Sequence, residues 1–327
     1  MSGRKIEKGP RLSRRDLTLG ALASIAVSAS GPAALAQDTA RPRRILVPAA
    51  PGGPQDVLTR LIAGLLNQRF GDTMVVENRA GAVGKLAALG VKTAPPDGFT
   101  LGMFNSTMAY AEAVMTDPGF SLTQDFTPIA HLTSMNIALV SRPSFPAKTL
   151  PELATFARAN PNKVSCGSIA PPLVAYLKAA AKMDLNTIPY RGGALALQAL
   201  IAGEVDTILT VLQEIIPHIE SGTVWPIAIG APKRLPKLPD VGVFEETLPG
   251  IDMRTWYGLF APLGISDSAA GELRSKVAAV VEMPEFKAYC EARYLNPPVS
   301  LATFTGMVSD EVVLWHKLVT DLKLQRI

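Results

Sequence analysis

The residues best suited to chemistry are glycines, short hydroxyls and backbone amides at the ends of predicted strands. Residues 44–60 read RILVPAAPGGPQDVLTR. Gly52 and Gly53 can take backbone angles closed to other residues. Pro54 and Asp56 suit the first turn of a following helix. Amides left free at such a turn can hold a carboxylate or a phosphate without any cationic side chain. The same residues also build plain strand-to-helix turns, so both readings stand. A Walker A loop is excluded because no Gly-Lys-Ser/Thr follows, and a dinucleotide fingerprint because GxGxxG is absent. Asn105, Ser106 and Thr107 directly follow an apolar run at 99–104. Hydroxyls at the C-terminal end of a strand sit where open α/β sheets bind ligands, and they equally make helix caps.

Catalysis finds little support. Ser106, Ser168, His131, His218 and His316 are the nucleophile and base candidates, and no G-x-S-x-G elbow accompanies them. Asp56, Glu204 and Asp206 are carboxylates that nothing in the sequence places as a pair. No enzyme activity, cofactor or metal site is expected; the three histidines match no ligand spacing. Cys166 and Cys290, the two cysteines, are expected as unpaired, partly buried thiols.

The elements that must position these residues alternate. Ile45 to Val47 is a short apolar run suited to a buried parallel strand. From Val57 the apolar positions recur at helical spacing. A strand at 74–76 leads to a second glycine turn at 79–84, and a helix at 85–92 follows. Thr149, Pro151 and Glu152 form a capped helix start. Strands at 163–168, 186–190 and 205–211 alternate with helices at 173–183 and 194–202, and a strand at 225–230 follows. This alternation predicts an α/β fold with mostly parallel sheets. Residues 127–140 and 253–262 read as two segments crossing between domains. Helices are expected over 272–281, 284–293 and 301–324.

Residues 1–36 stand apart. Arg4, Lys5, Lys8 and Arg11 precede Ser13-Arg14-Arg15-Asp16-Leu17 and a weakly apolar run, and Ala34-Leu35-Ala36 is an A-x-A cleavage pattern. Paired arginines before such a run predict a twin-arginine export signal, hence a periplasmic protein. The apolar run is too short to span a bilayer. The full chain of 327 residues has net charge +4, but removing six Lys/Arg and two Asp/Glu with the leader leaves 26 of each sign. The mature chain is near neutral, so its charge gives no reason to expect nucleic acid as a partner.

Ten ordered segments then carry a resemblance: VPAAPGGPQD, VVENRAGAVG, PPDGFTL, DFTPIA, PAKTLPEL, IPYRGGALALQALIAGEVD, PHIESG, KRLPKLPDV, LPGIDMRTWYGLFAP and the terminal Trp315-His316-Lys317. From about residue 42 to the C-terminus the chain resembles the Bug-type extracytoplasmic solute receptors of tripartite tricarboxylate transporters. The resemblance implies a two-domain Venus-flytrap binding protein, with residues 37–140 plus 254–327 in one domain and 141–253 in the other. It implies a small organic carboxylate in the cleft, a membrane permease as partner and a monomeric state. A sensory receptor serving a membrane kinase is the alternative of the same fold, and an exported hydrolase a more distant one. The expected binding residues are Ala49, Pro51, Gly52, Gly53 and Asp56 of the first loop, with Ser106, Thr107, Ser168, Ala170, Tyr190, Gly192 and Asp206.

The chain departs from the family pattern at several places. Ala49 stands where an aromatic or other large residue is usual. The second glycine turn reads Gly81-Ala82-Val83-Gly84-Lys85 instead of GAGGN. The second anion loop after Cys166 is shortened to Ser168-Ile169-Ala170-Pro171-Pro172, where two prolines remove two amide donors. Thr210 replaces an acidic residue. These changes predict a ligand larger or less charged than a C4 dicarboxylate.

Overall fold

A computed structural model describes residues 41–327. The expected export signal, including Arg14, Arg15 and the cleavage pattern at Ala36, lies outside the described residues. The first strand, β1 (Arg43–Val47), buries Ile45, Leu46 and Val47. Helix α1 (Pro54–Phe70) opens on proline, carries Asp56 in its first turn and ends on Gly71 in the left-handed conformation. It is followed by β2 (Met74–Asn78), one 3-10 turn, α2 (Lys85–Lys92), β3 (Thr100–Asn105) and α3 (Thr107–Val114). The 16-residue β4 (Phe126–Ser141) is the longest strand described. Next comes α4 (Leu150–Ala159), whose cap Thr149 accepts the Glu152 amide as its sequence predicts.

The chain continues through β5 (Ser165–Ser168), α5 (Pro171–Ala181), β6 (Asn186–Pro189), α6 (Gly193–Ala202) and β7 (Thr207–Val211). Then come α7 (Leu212–Glu220), β8 (Trp225–Ile229), α8 (Phe244–Thr247), β9 (Arg254–Pro262), α9 (Asp267–Val281), α10 (Pro284–Ala292) and α11 (Leu301–Asp321). Helix α7 has no counterpart in the sequence reading. Pro217 sits inside it and masks a short apolar face formed by Leu212, Ile215 and Ile216.

The strand order is β2-β1-β3-β9-β4-β7-β5-β6, with β8 also paired to β4. The β-α-β units supply the parallel pairings: β1 with β2 and β3, and β5 with β6 and β7. β4 and β9 supply the antiparallel ones. β9 lies between β3 and β4, and β4 also pairs with β7 and β8. The first part of β4, Phe126 to Asn136, pairs with β9, while Ile137 to Ser141 pairs with β7. One strand thus belongs to both halves of the sheet.

Packing holds β4 and β9 in place. Phe104, Phe260 and Phe304 are fully buried, with ring centroids 5.3 Å and 5.5 Å apart along the series. Each buried ring of this size stabilises the fold by about 1.5–3 kcal/mol. Gly258 on β9 is required by this contact, because a Cβ there would lie 2.2 Å from the Phe304 ring. Among the described residues no helix is long and apolar enough to cross a membrane.

Candidate functional site

The β1–α1 turn is built around a carboxylate. Gly52 has φ +81°, a conformation other residues rarely adopt, whereas Gly53 has an ordinary φ of −71°. Only the first of the two glycines is therefore required by backbone geometry, which corrects the expectation for the pair. Asp56 Oδ2 accepts the Gly52 amide at 2.9 Å and Arg60 Nε at 2.9 Å, and its Oδ1 accepts Asn78 Nδ2 at 2.9 Å. Asn78 also donates to the Ala49 carbonyl at 3.0 Å. The Gly52 amide, expected to be open to a ligand, is engaged inside the loop. The Arg60 hydrogen bond, reinforced by the Gly52 and Asn78 donors, outweighs burial and lowers the Asp56 pKa to about 2. The adjacent Gln55 is buried. It donates to the Met103 carbonyl at 2.7 Å and accepts Asn105 Nδ2 at 3.2 Å. This turn braces Asn105.

Asn105 opens onto a cavity of about 330 Å³ at the C-terminal ends of β3, β5 and β7. That is where a ligand enters open α/β sheets. One wall is Asn105, Ser106, Thr107 and Tyr110; another is Ile169 to Leu173 together with Leu209 to Val211. Met135 and Ile137 of β4 form the floor with Arg254, Thr255 and Tyr257 of β9, and Glu311 and Trp315 reach in from α11. Most of this lining is apolar.

Of the expected residues, Ser106, Thr107 and Ala170 line this cavity. Ala49, Pro51, Gly52, Gly53 and Asp56 do not; they form the bracing turn. Ser168 is buried behind the wall, donating to the Leu209 carbonyl at 3.2 Å and accepting the Ala170 amide at 3.0 Å. Tyr190 packs its ring over Gly167. Gly192 precedes α6 in an extended conformation, outside the cavity lining. Asp206 sits at the opposite, N-terminal end of β7. There it pairs with Arg142 at 3.0 Å and accepts the Ser165 amide and hydroxyl at 3.0 and 2.9 Å.

The N-terminus of α5 faces the cavity with few donors. Pro171 and Pro172 have no N–H, the Ala170 amide goes to Ser168, and the Leu173 amide goes to the Ala170 carbonyl at 2.9 Å. The loss anticipated from the two prolines is extended by these local bonds. At the start of α3 the Thr107 amide donates to Asn105 Oδ1 at 3.1 Å, and Ser106 Oγ accepts the Trp256 amide at 3.0 Å. Hydroxyls therefore supply most of the polar lining.

Three residues that sequence reasoning missed carry the strongest polarity. Arg254 binds Asp252 with Nε to Oδ1 at 2.8 Å and Nη2 to Oδ2 at 2.7 Å. Glu311 accepts the indole N–H of Trp256 and that of Trp315, the latter at 3.3 Å. Burial pushes the Glu311 carboxyl up to about 8, against the opposing pull of the indole donors. Burial likewise raises the Tyr257 hydroxyl, which hydrogen-bonds Asn105. Arg254 and Tyr257 fell within the segment read as a crossing. Glu311 lay four residues before Trp315, and that i,i+4 spacing was the available signal. Both cysteines are free and buried, and no group of three or more metal-ligating residues occurs among the described residues.

A family model described as the tripartite tricarboxylate transporter family receptor matches residues 58–324. An Agrobacterium vitis protein, described as a UPF0065 protein in the TAR-I ttuE-ttuC' intergenic region, is 30% identical over 237 residues, covering 70% of this chain and 68% of that one. Among solved structures, MatC from Rhodopseudomonas palustris with bound malate is 31% identical with a TM-score of 0.69, covering 86% of this chain and 99% of that chain. The periplasmic binding protein BugD is 27% identical with a TM-score of 0.69, covering 88% of this chain and 99% of its own.

Proposed function

This chain belongs to the tripartite tricarboxylate transporter receptor family, and we propose that it captures a small carboxylate-bearing solute in the cavity beside Asn105 and delivers it to membrane permease subunits. The periplasmic binding protein fold is common to the relatives and to this chain. The observation that carries the reading is the cavity itself. It lies at strand C-terminal ends, it draws walls from both sides of β4 and β9, and it combines apolar surface with Asn105, Thr107, Thr210, Thr255 and Arg254. Hydroxyls, an amide side chain and one guanidinium suit a carboxylate head, and the apolar wall suits an organic body.

The division into residues 37–140 plus 254–327 and 141–253 is part of this proposal, with β4 and β9 as the connections about which the parts close. Two lobes that both contact a ligand favour the closed form when it binds. Malate is bound in MatC. In this chain, the donor-poor start of α5 and Thr210 point to a larger or less charged carboxylate. Mass spectrometry of what co-purifies with periplasmic protein, followed by calorimetric titration, tests this. A carboxylate bound tightly and saturably is expected; a tight titration by succinate or malate alone would contradict the size argument. Export is proposed through Arg14 and Arg15: the Arg14→Lys, Arg15→Lys precursor should stay in the cytoplasm, and its normal periplasmic accumulation would remove the twin-arginine assignment.

A further inference from the structure

Glu311 is the acid in the cavity lining, and its surroundings give it hydrogen bonds but no countercharge. Its two carboxylate oxygens each accept one indole N–H, from Trp256 and Trp315. Those bonds, with one from the Ser106 hydroxyl, orient the carboxyl and leave it further acceptor positions. The nearby guanidinium of Arg254 is turned to Asp252 in a two-point contact. Glu311 also borders a second cavity of about 350 Å³, shared with Asp252, Asp310 and Tyr176. The groups around it are thus two further acids, one guanidinium already paired, two indoles, the Ser106 hydroxyl, and the phenols of Tyr110, Tyr176 and Tyr257.

We propose that Glu311 is a specificity-determining residue that selects a monocarboxylate carrying an ammonium group on an apolar body, and that it rejects dicarboxylates. The inference rests on the carboxylate reading above and deepens it. A second carboxylate placed near Glu311 would hold it protonated and would be repelled once it ionises as pH rises through about 8. An ammonium there would supply the countercharge that the ionised form lacks and donate to its remaining acceptor positions. The start of α5, which has lost its amide donors, offers no alternative place for a second carboxylate.

The sign of the pH dependence separates the two ligand classes. Burial pushes the Glu311 carboxyl up to about 8. An ammonium ligand requires the ionised form, so binding releases a proton below that pH and tightens as pH rises toward it. A carboxylate seated against Glu311 requires the protonated form and weakens over the same range.

The test is calorimetric titration of the mature protein with two matched pairs, phenylalanine against 3-phenylpropionate and 6-aminohexanoate against hexanoate, at pH 6.5 and 8.5. In at least one pair the amino member should bind more tightly, and its affinity should rise about twentyfold between the two pH values, the change in the ionised fraction of a group with a pKa of about 8. Glu311→Gln should flatten that rise and remove the preference. The wild-type pH series stands alone if the variant does not fold. Tighter binding of the des-amino members, or affinity that falls with pH, overturns the Glu311 assignment and leaves the carboxylate reading standing. No binding by any of the four also overturns the assignment, and the carboxylate reading is then judged on the co-purified ligand.

Discussion

His131 is a base held neutral by its neighbours. Its Nδ1 accepts the Val299 amide at 3.1 Å, which leaves the proton on Nε2 to donate to Ser134 Oγ at 2.9 Å. Burial lowers its pKa to about 4, with the positive charge of Arg254 adding to the effect. The unfolded chain takes up this proton near pH 6.5 and the folded chain does so only near 4. Its contribution is therefore complete above 6.5 and is lost as pH falls through that window, by roughly 3 kcal/mol in total. Urea unfolding between pH 4 and 7 should show this slope, and His131→Gln, which keeps a donor and an acceptor, should reduce it. An equal slope in the variant would assign the acid sensitivity elsewhere. The same residue shows what the sequence withheld. A lone histidine in an apolar run gave no sign that it would tie β4 to the chain leading into α11.

The β1–α1 turn was legible as an element, and its internal wiring was not. Glycine, proline and an acid in the first helical turn announce strand, turn and helix by backbone chemistry alone. Which glycine takes the left-handed conformation, and that Asp56 would capture its amide, depend on Asn78 arriving from β2 and on Arg60 one turn further along α1. Gly52→Ala should cost roughly 1–2 kcal/mol, the strain of a side chain at positive φ. Gly53→Ala should be nearly silent, since its φ is ordinary and an added Cβ would come no closer than 3.4 Å to the Ala50 carbonyl. Chemical denaturation of the two variants checks this, and equal losses would refute the geometry of the turn. The predicted helices followed their periodicity; α3, α7 and α8 were not anticipated, α7 because Pro217 disguised its pattern. The start of α5 was read correctly as donor-poor because proline's missing N–H is a covalent fact, independent of tertiary structure.

At the scale of the whole molecule, the alternation of strands and helices indicated the α/β class, and the ten matching segments indicated the family. The assembly of the cavity was hidden. Asn105, Thr210, Arg254 and Glu311 come from four distant stretches, and no local spacing rule joins a helix near the C-terminus to the end of the third strand. Ser106, Thr107 and Ala170 could be anticipated because they directly follow strands, where ligands collect. The long strand β4, paired along one part with β9 and along the other with β7, is what brings the remaining walls together.

The central claim is that the solute is held in this cavity. The direct measurement is calorimetric titration of the co-purified carboxylate into the wild type and into Ala170→Trp, with thermal unfolding of both ligand-free proteins. Ala170 lines the cavity and is not fully buried, so the larger side chain fills the binding space without opening the core. The account predicts binding reduced at least about a hundredfold, a loss of about 2.7 kcal/mol, with little change in melting temperature. Unchanged affinity in a variant that melts like the wild type would contradict it and move the site elsewhere.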